Sequence, residues 1–173
     1  MPNGWGAMNG ENRMLQSANW GRSYGMLLGL TLVCTAAISA AEGPYASLDP
    51  KAISIRLPPD IQWKGPNAEG LEIIPLAGDP SKPGLYVVLA KWYSHHLSRP
   101  HFHPNDRFIT VISGTWWVNT GRKYDPDHMK PVPAGSFVTH YAHEVHYDGA
   151  QDGDVVIEIV GMGPGTLMPA EDK

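Results

Sequence analysis

The chain has 173 residues, a formal net charge of −4 and a single cysteine, Cys34. It carries no long basic run, so its charge gives no case for a nucleic-acid partner. No repeat or low-complexity tract is present, which excludes solenoids and fibrous arrays.

Reading from the N-terminus, the segment Gly25-Met-Leu-Leu-Gly-Leu-Thr-Leu-Val-Cys-Thr-Ala-Ala-Ile38 is uncharged. Arg13 and Arg22 precede it, and the small residues Ser39, Ala40 and Ala41 follow before Glu42. A positive region, an apolar stretch and a small-residue cleavage site, in that order, predict a secretory signal peptide over residues 1–41. A membrane-spanning helix needs about 20 predominantly apolar residues. This run is shorter and diluted by Gly and Thr, so no stable membrane anchor is expected after cleavage near Ala40 or Ala41. The mature protein is expected in the periplasm or secreted. No twin-arginine pair is present, which favours export in the unfolded state. The polar residues before Met14 fit either a long n-region or a mis-called start.

Cys34 is a poor match to a lipid-attachment site. Val33 stands before it where a small residue belongs, and the apolar run continues past it. Cleavage after it leaves no cysteine, so disulfides and thiolate ligands are excluded and any metal must be held by His, Asp or Glu.

About 130 residues remain, the size of one domain with one core. Residues 42–70 read as an N-terminal arm with a first strand, and residues 71–173 as the main barrel. Pro and Gly interrupt this part every several residues, as at Pro58-Pro59, Gly65-Pro66, Gly78-Asp-Pro80 and Pro83-Gly84. Between them lie short strand candidates at 52–57, 71–76, 85–93, 107–113, 115–119, 136–140 and 155–160. Lys123 to Pro133 reads as a loop. No mature segment has helical periodicity with caps. The class is all-β, a sandwich or a barrel.

All eight histidines fall between His95 and His146. His101 and His103 lie two apart, on one face of an extended backbone, where both imidazoles can reach one ion. Downstream, Gly135-Ser-Phe-Val-Thr-His140-Tyr-Ala-His143-Glu-Val-His146 supplies three more.

At these two stretches the chain resembles the cupin superfamily, whose fold is a double-stranded β-helix, or jelly-roll barrel. His101, His103 and Gly114 match its first motif (G-x5-H-x-H-x3,4-E-x6-G) in spacing, and Gly135 and His146 match its second (G-x5-P-x-G-x2-H-x3-N). The resemblance covers residues 71–160 and implies three metal ligands: His101, His103 and His146. Departures are equally plain. His95 stands at the opening glycine of the first motif, Tyr141 and His143 replace the proline and glycine of the second, and Ala150 replaces its asparagine. Arg107 occupies the position of the usual glutamate ligand.

Without that carboxylate, a divalent ion keeps its whole charge, and an inward Arg107 adds another. Such a site favours an anion: a carboxylate, an enolate or a hydroxide. Two alternatives stand beside this one. Arg107 pairs outside with Asp106, Glu144 or Glu158, or a backbone bulge turns Asp106 inward as a fourth ligand.

By resemblance the protein is a metal-binding cupin with one divalent ion (Zn, Fe, Cu or Ni) acting on a small anionic or enolisable molecule. Dioxygenase, lyase and isomerase chemistry all fit, with Arg107 as anion clamp and His140 or His143 as acid/base. The rival readings are a non-enzymatic binding or sensing cupin, and a degenerate barrel without metal. His95 and His96 are expected at the barrel mouth, and His128 in a solvated loop. A homodimer fits the family habit.

Overall fold

The computed structural model describes residues 45–173, so the signal-peptide assignment lies outside the described residues. Eleven strands follow in order: β1 (Leu71–Ala77), β2 (Gly84–Trp92), β3 (His96–Leu97), β4 (His101–Phe102), β5 (Arg107–Ser113), β6 (Thr115–Thr120), β7 (Lys130–Pro133), β8 (Phe137–His140), β9 (His146–Ala150), β10 (Val155–Gly163) and β11 (Met168–Pro169). Single 3-10 turns occupy Pro58–Asp60 and Pro126–His128. Among the described residues no helix is long and apolar enough to cross a membrane.

The strands form two antiparallel sheets. One has the order β1-β2-β10-β5-β8, and the other β11-β4-β9-β6-β7, with β3 also paired to β9. The chain passes from the first sheet to the second between β5 and β6, through Gly114. Its φ is +78°, and a Cβ there would lie 2.4 Å from the Asp154 carbonyl oxygen. Only glycine meets both demands, which gives a physical reason for glycine at this motif position.

The inward side chains of the first sheet stack in register across neighbouring strands. Trp92 and Val155 make one layer, and Ala90, Ile157 and Val111 the next. Val88, Ile159, Ile109 and Val138 form a third. All but the partly buried Val138 are buried and, with Trp116 and Ala150 of the second sheet, make one core. Each Val or Ile so buried contributes about 1.5–3 kcal/mol. The fourth layer is different: Tyr86, Gly161, Arg107 and His140. Here the apolar core stops and a polar layer begins.

Two expectations need correction. Residues 52–57 are not a strand. Ile53, Ile55 and Leu57 alternate as a strand would, but they stay exposed. Period-two alternation describes a strand only where a neighbouring backbone pairs with it, and Pro58-Pro59 then bend the chain into a 3-10 turn. The arm is tied to β1 in another way: the Glu72 carboxylate accepts the N–H groups of Lys64 and Gly65 at 2.6 and 3.0 Å, and Arg56 donates to the Pro75 carbonyl at 2.7 Å. The second correction is β7, expected as loop. It carries Pro131 and Pro133 but is an edge strand, where missing N–H donors do least harm. The short β3 and β9 were likewise absent from the sequence reading.

Candidate metal centre

His101 and His146 are direct cross-strand partners on β4 and β9. His103, two residues beyond His101, points to the same side, while Phe102 points away. All three rings are buried. Centroid separations are 5.0 Å for His101–His103, 4.6 Å for His101–His146 and 5.4 Å for His103–His146.

Their hydrogen bonds fix their chemistry. Nδ1 of His101 lies 2.7 Å from the Arg99 carbonyl, that of His103 2.9 Å from Thr166, and that of His146 3.0 Å from Glu144. A carbonyl only accepts, so each Nδ1 carries the proton and each Nε2 keeps its lone pair. Nε2 of His103 and of His146 is buried with no hydrogen-bond partner. One ligand atom from each of the three residues lies within 4.8 Å of the others, so the triad could hold one metal ion. Outer hydrogen bonds of this kind orient metal-ligating imidazoles.

Burial, helped by the nearby Arg107 charge and by His101, pushes His103 down to about 2. Burial lowers His146 to about 4, with Asp148 opposing and His101 and Arg107 adding to the effect. At neutral pH both rings are free bases.

The facing sheet supplies the polar layer. Arg107 shares the inward phase of Ile109 and Val111. Its Nη2 donates to Nδ1 of His140 at 3.1 Å, and its Nε–H is buried without an acceptor. Burial weakens its hold on the proton, against the pull of Asp148 and Tyr86. Tyr86 sits across the strand pair, over Gly161, where a Cβ would meet its hydroxyl at 2.7 Å. Gly161 thus leaves room for the phenol beside the guanidinium. Burial raises the Tyr86 pKa, and Arg107 offsets part of the rise.

Of the two alternatives for this stretch, neither matches the side-chain geometry. Asp106 is exposed and accepts the Ala142 N–H at 2.7 Å, turned away from the triad. Among the described residues no ion pair includes Arg107.

His140 lies inside, its ring 3.6 Å from that of His146 and 5.3 Å from Trp116. Burial, then His146 and Arg107, lower its pKa strongly. His143 is corrected. It is exposed, and its ring packs 5.9 Å from outward-facing Phe102, away from the cavity. Its backbone has φ +65° and donates to the His103 carbonyl at 2.8 Å. His95 also has φ +65°. These are the two described non-glycine residues with positive φ, and both stand where the cupin motifs place glycine. The bend is kept although glycine is not, and His is among the residues that tolerate it better than most. His95 and His96 are exposed, and His128 is an exposed partner of Asp125.

Sequence reading missed Tyr86, Gly161 and Asp148. Asp148 is buried, accepts from the Trp116 indole at 3.3 Å, and with His140 and His146 makes a second group of possible ligand atoms within 4.8 Å. Its signal was available: it is two residues after His146, on the same strand face.

Two facing antiparallel sheets with inward-facing histidines on both make a double-stranded β-helix, the fold of cupins. No protein-family model matches the sequence, and no curated protein matches it either. Solved structures do. The polyketide cyclase RemF from Streptomyces resistomycificus superposes with a TM-score of 0.56, at 15% identity, over 70% of this chain and 87% of its own. KdgF from Halomonas sp. gives 0.50 at 18% identity, over 63% and 94%. An RmlC-like cupin from Shewanella frigidimarina gives 0.46 at 19% identity, over 60% and 86%. This chain has the cupin fold.

Proposed function

We propose that the protein is an exported, metal-dependent enzyme acting on a small carboxylate- or enolate-bearing molecule. One observation carries the reading. The interior holds two buried lone pairs with no partner, Nε2 of His103 and of His146, and a buried N–H donor with no partner, Nε of Arg107. Unpaired buried polar groups are costly. A cation satisfies the first two and an anion's oxygen the third, so the pattern supports a metal ion and an anionic ligand bound together.

His101, His103 and His146 would hold one divalent ion (Zn, Fe, Cu or Ni), which as a Lewis acid polarises an oxygen of the ligand. Arg107 and the Tyr86 hydroxyl hold the anionic group, with His140 beside them. The apolar layers below the cavity keep water out from that side. Three neutral ligands and an arginine favour retention of negative charge on the ligand, which suits lyase, isomerase or dioxygenase chemistry at an enolisable carbon.

Elemental analysis tests the metal: reconstituted protein should hold about one equivalent of a transition metal, and chelated protein should lose carboxylate binding. Protein that takes up no transition metal refutes the reading. Export is supported by the signal-like residues 1–41, and N-terminal sequencing of exported protein should begin near Ala41 or Glu42. Exposed Leu85, Phe108, Ile112, Phe137 and Met162 on the outer face of the first sheet favour a homodimer, testable by light scattering.

A further inference from the structure

We propose that Arg107 fixes His140 as a hydrogen-bond donor, so that this ring reads an acceptor atom of the ligand through Nε2–H and is not a fourth metal ligand. The inference rests on the metal-and-anion reading above and assigns His140 its part in it.

Proximity alone makes His140 a plausible ligand. Its ring is 3.6 Å from that of His146, and it offers a ligand atom within 4.8 Å of both His146 and Asp148. The hydrogen bonds separate it from the triad. In His101, His103 and His146, Nδ1 faces a carbonyl, which can only accept. In His140, Nδ1 faces the Arg107 guanidinium at 3.1 Å. A guanidinium has five N–H groups and no acceptor. Nδ1 of His140 must therefore accept, and the ring's one proton sits on Nε2. The cavity thus holds two opposite tautomers of one residue type, each imposed by its partner. A protonated nitrogen has no lone pair for a metal, and the other nitrogen of His140 is already engaged.

The pairing follows from register. Arg107 and His140 are direct cross-strand partners on β5 and β8, on the inward face. A carboxylate at position 107 would accept from Nδ1 and impose the opposite, ligating tautomer. Trp116 packs beside the ring at 5.3 Å while its indole is held by Asp148, which limits reorientation. Among the described residues the bond to Arg107 is the only side-chain hydrogen bond of His140, so its Nε2–H has no protein partner and is left for a ligand. With the unpartnered Nε–H of Arg107 it makes a two-donor subsite, suited to the two oxygens of a carboxylate or to an enolate oxygen and its neighbour.

Long-range 1H–15N correlation spectra of the metal-free protein, labelled with 15N-histidine, read each tautomer directly. The expected result is Nδ1–H at His101, His103 and His146 and Nε2–H at His140. Zinc should shift Nε2 of the first three and leave His140 in place. Arg107→Met should release His140 into a mixture of tautomers. For the zinc-loaded protein titrated with oxalate, His140→Phe should weaken binding by about tenfold or more. His140→Gln, which keeps an amide N–H, should restore most of it, with zinc content unchanged in both. Nδ1–H at His140, or a zinc-induced shift of its Nε2 in step with the triad, overturns the inference while the metal reading stands. No zinc uptake with His140 still in the Nε2–H form removes the metal reading and supports the donor assignment.

Discussion

Acid should unfold the metal-free protein in a window set by its buried histidines. His103, His140 and His146 all have lowered folded-state pKa values, to about 2 for His103 and about 4 for His146, with burial the leading cause in each. In the unfolded chain each returns to about 6.5. Between these values the unfolded chain binds more protons, so stability is fully present above about pH 6.5 and is lost as the pH falls towards the folded values. Going from about pH 7 to about pH 5, each neutral histidine removes about 2 kcal/mol, and the three together about 6 kcal/mol. That rivals the whole stability of a typical domain, about 5–15 kcal/mol. The carboxylates with shifted values, Glu72, Asp79, Asp125 and Asp154, are all lowered and titrate below this window. Urea denaturation of chelator-treated protein at closely spaced pH values should give a slope approaching about 4 kcal/mol per pH unit near pH 5. His140→Gln should reduce the slope by about a third. A loss below about 1 kcal/mol over the window would refute the neutral, buried state of these rings.

Removing a triad member should act on metal and stability together: His146→Ala should abolish most zinc uptake and lower Tm, while His128→Ala on the exposed loop changes neither. Arg107→Ala should keep zinc but weaken carboxylate binding by about tenfold or more in calorimetric titration, since a charge-assisted contact is lost. Ile109→Ala, at a position with 0% exposure, should cost about 2–5 kcal/mol by urea denaturation with zinc stoichiometry retained. Gly114→Ala should destabilise by about 1–2 kcal/mol or more, because its φ of +78° and the Asp154 carbonyl both oppose a Cβ.

The sequence by itself determined the all-β class, because turn residues separate short runs rich in β-branched and apolar residues; the β5 expectation, 107–113, coincides with Arg107–Ser113. The resemblance to the cupin motifs also singled out His101, His103 and His146, three residues that the folded chain brings together. What it left open was decided by pairing across the barrel. Ile53, Ile55 and Leu57 alternate like a strand yet find no partner, whereas His146–Ala150, with Asp148 and Gly149, forms a buried strand because β4 and β6 flank it. Whether Arg107 or Asp106 faces the cavity depended on the phase of β5, which the apolar layers of Ile109 and Val111 fix. The polar layer of Tyr86, Gly161, Arg107 and His140 draws on four strands, and its members lie up to 75 residues apart in the chain. Local propensity acts over a few residues, but register between distant strands is set by burying their apolar faces together, so only the folded barrel brings the arginine to the histidine whose proton it places.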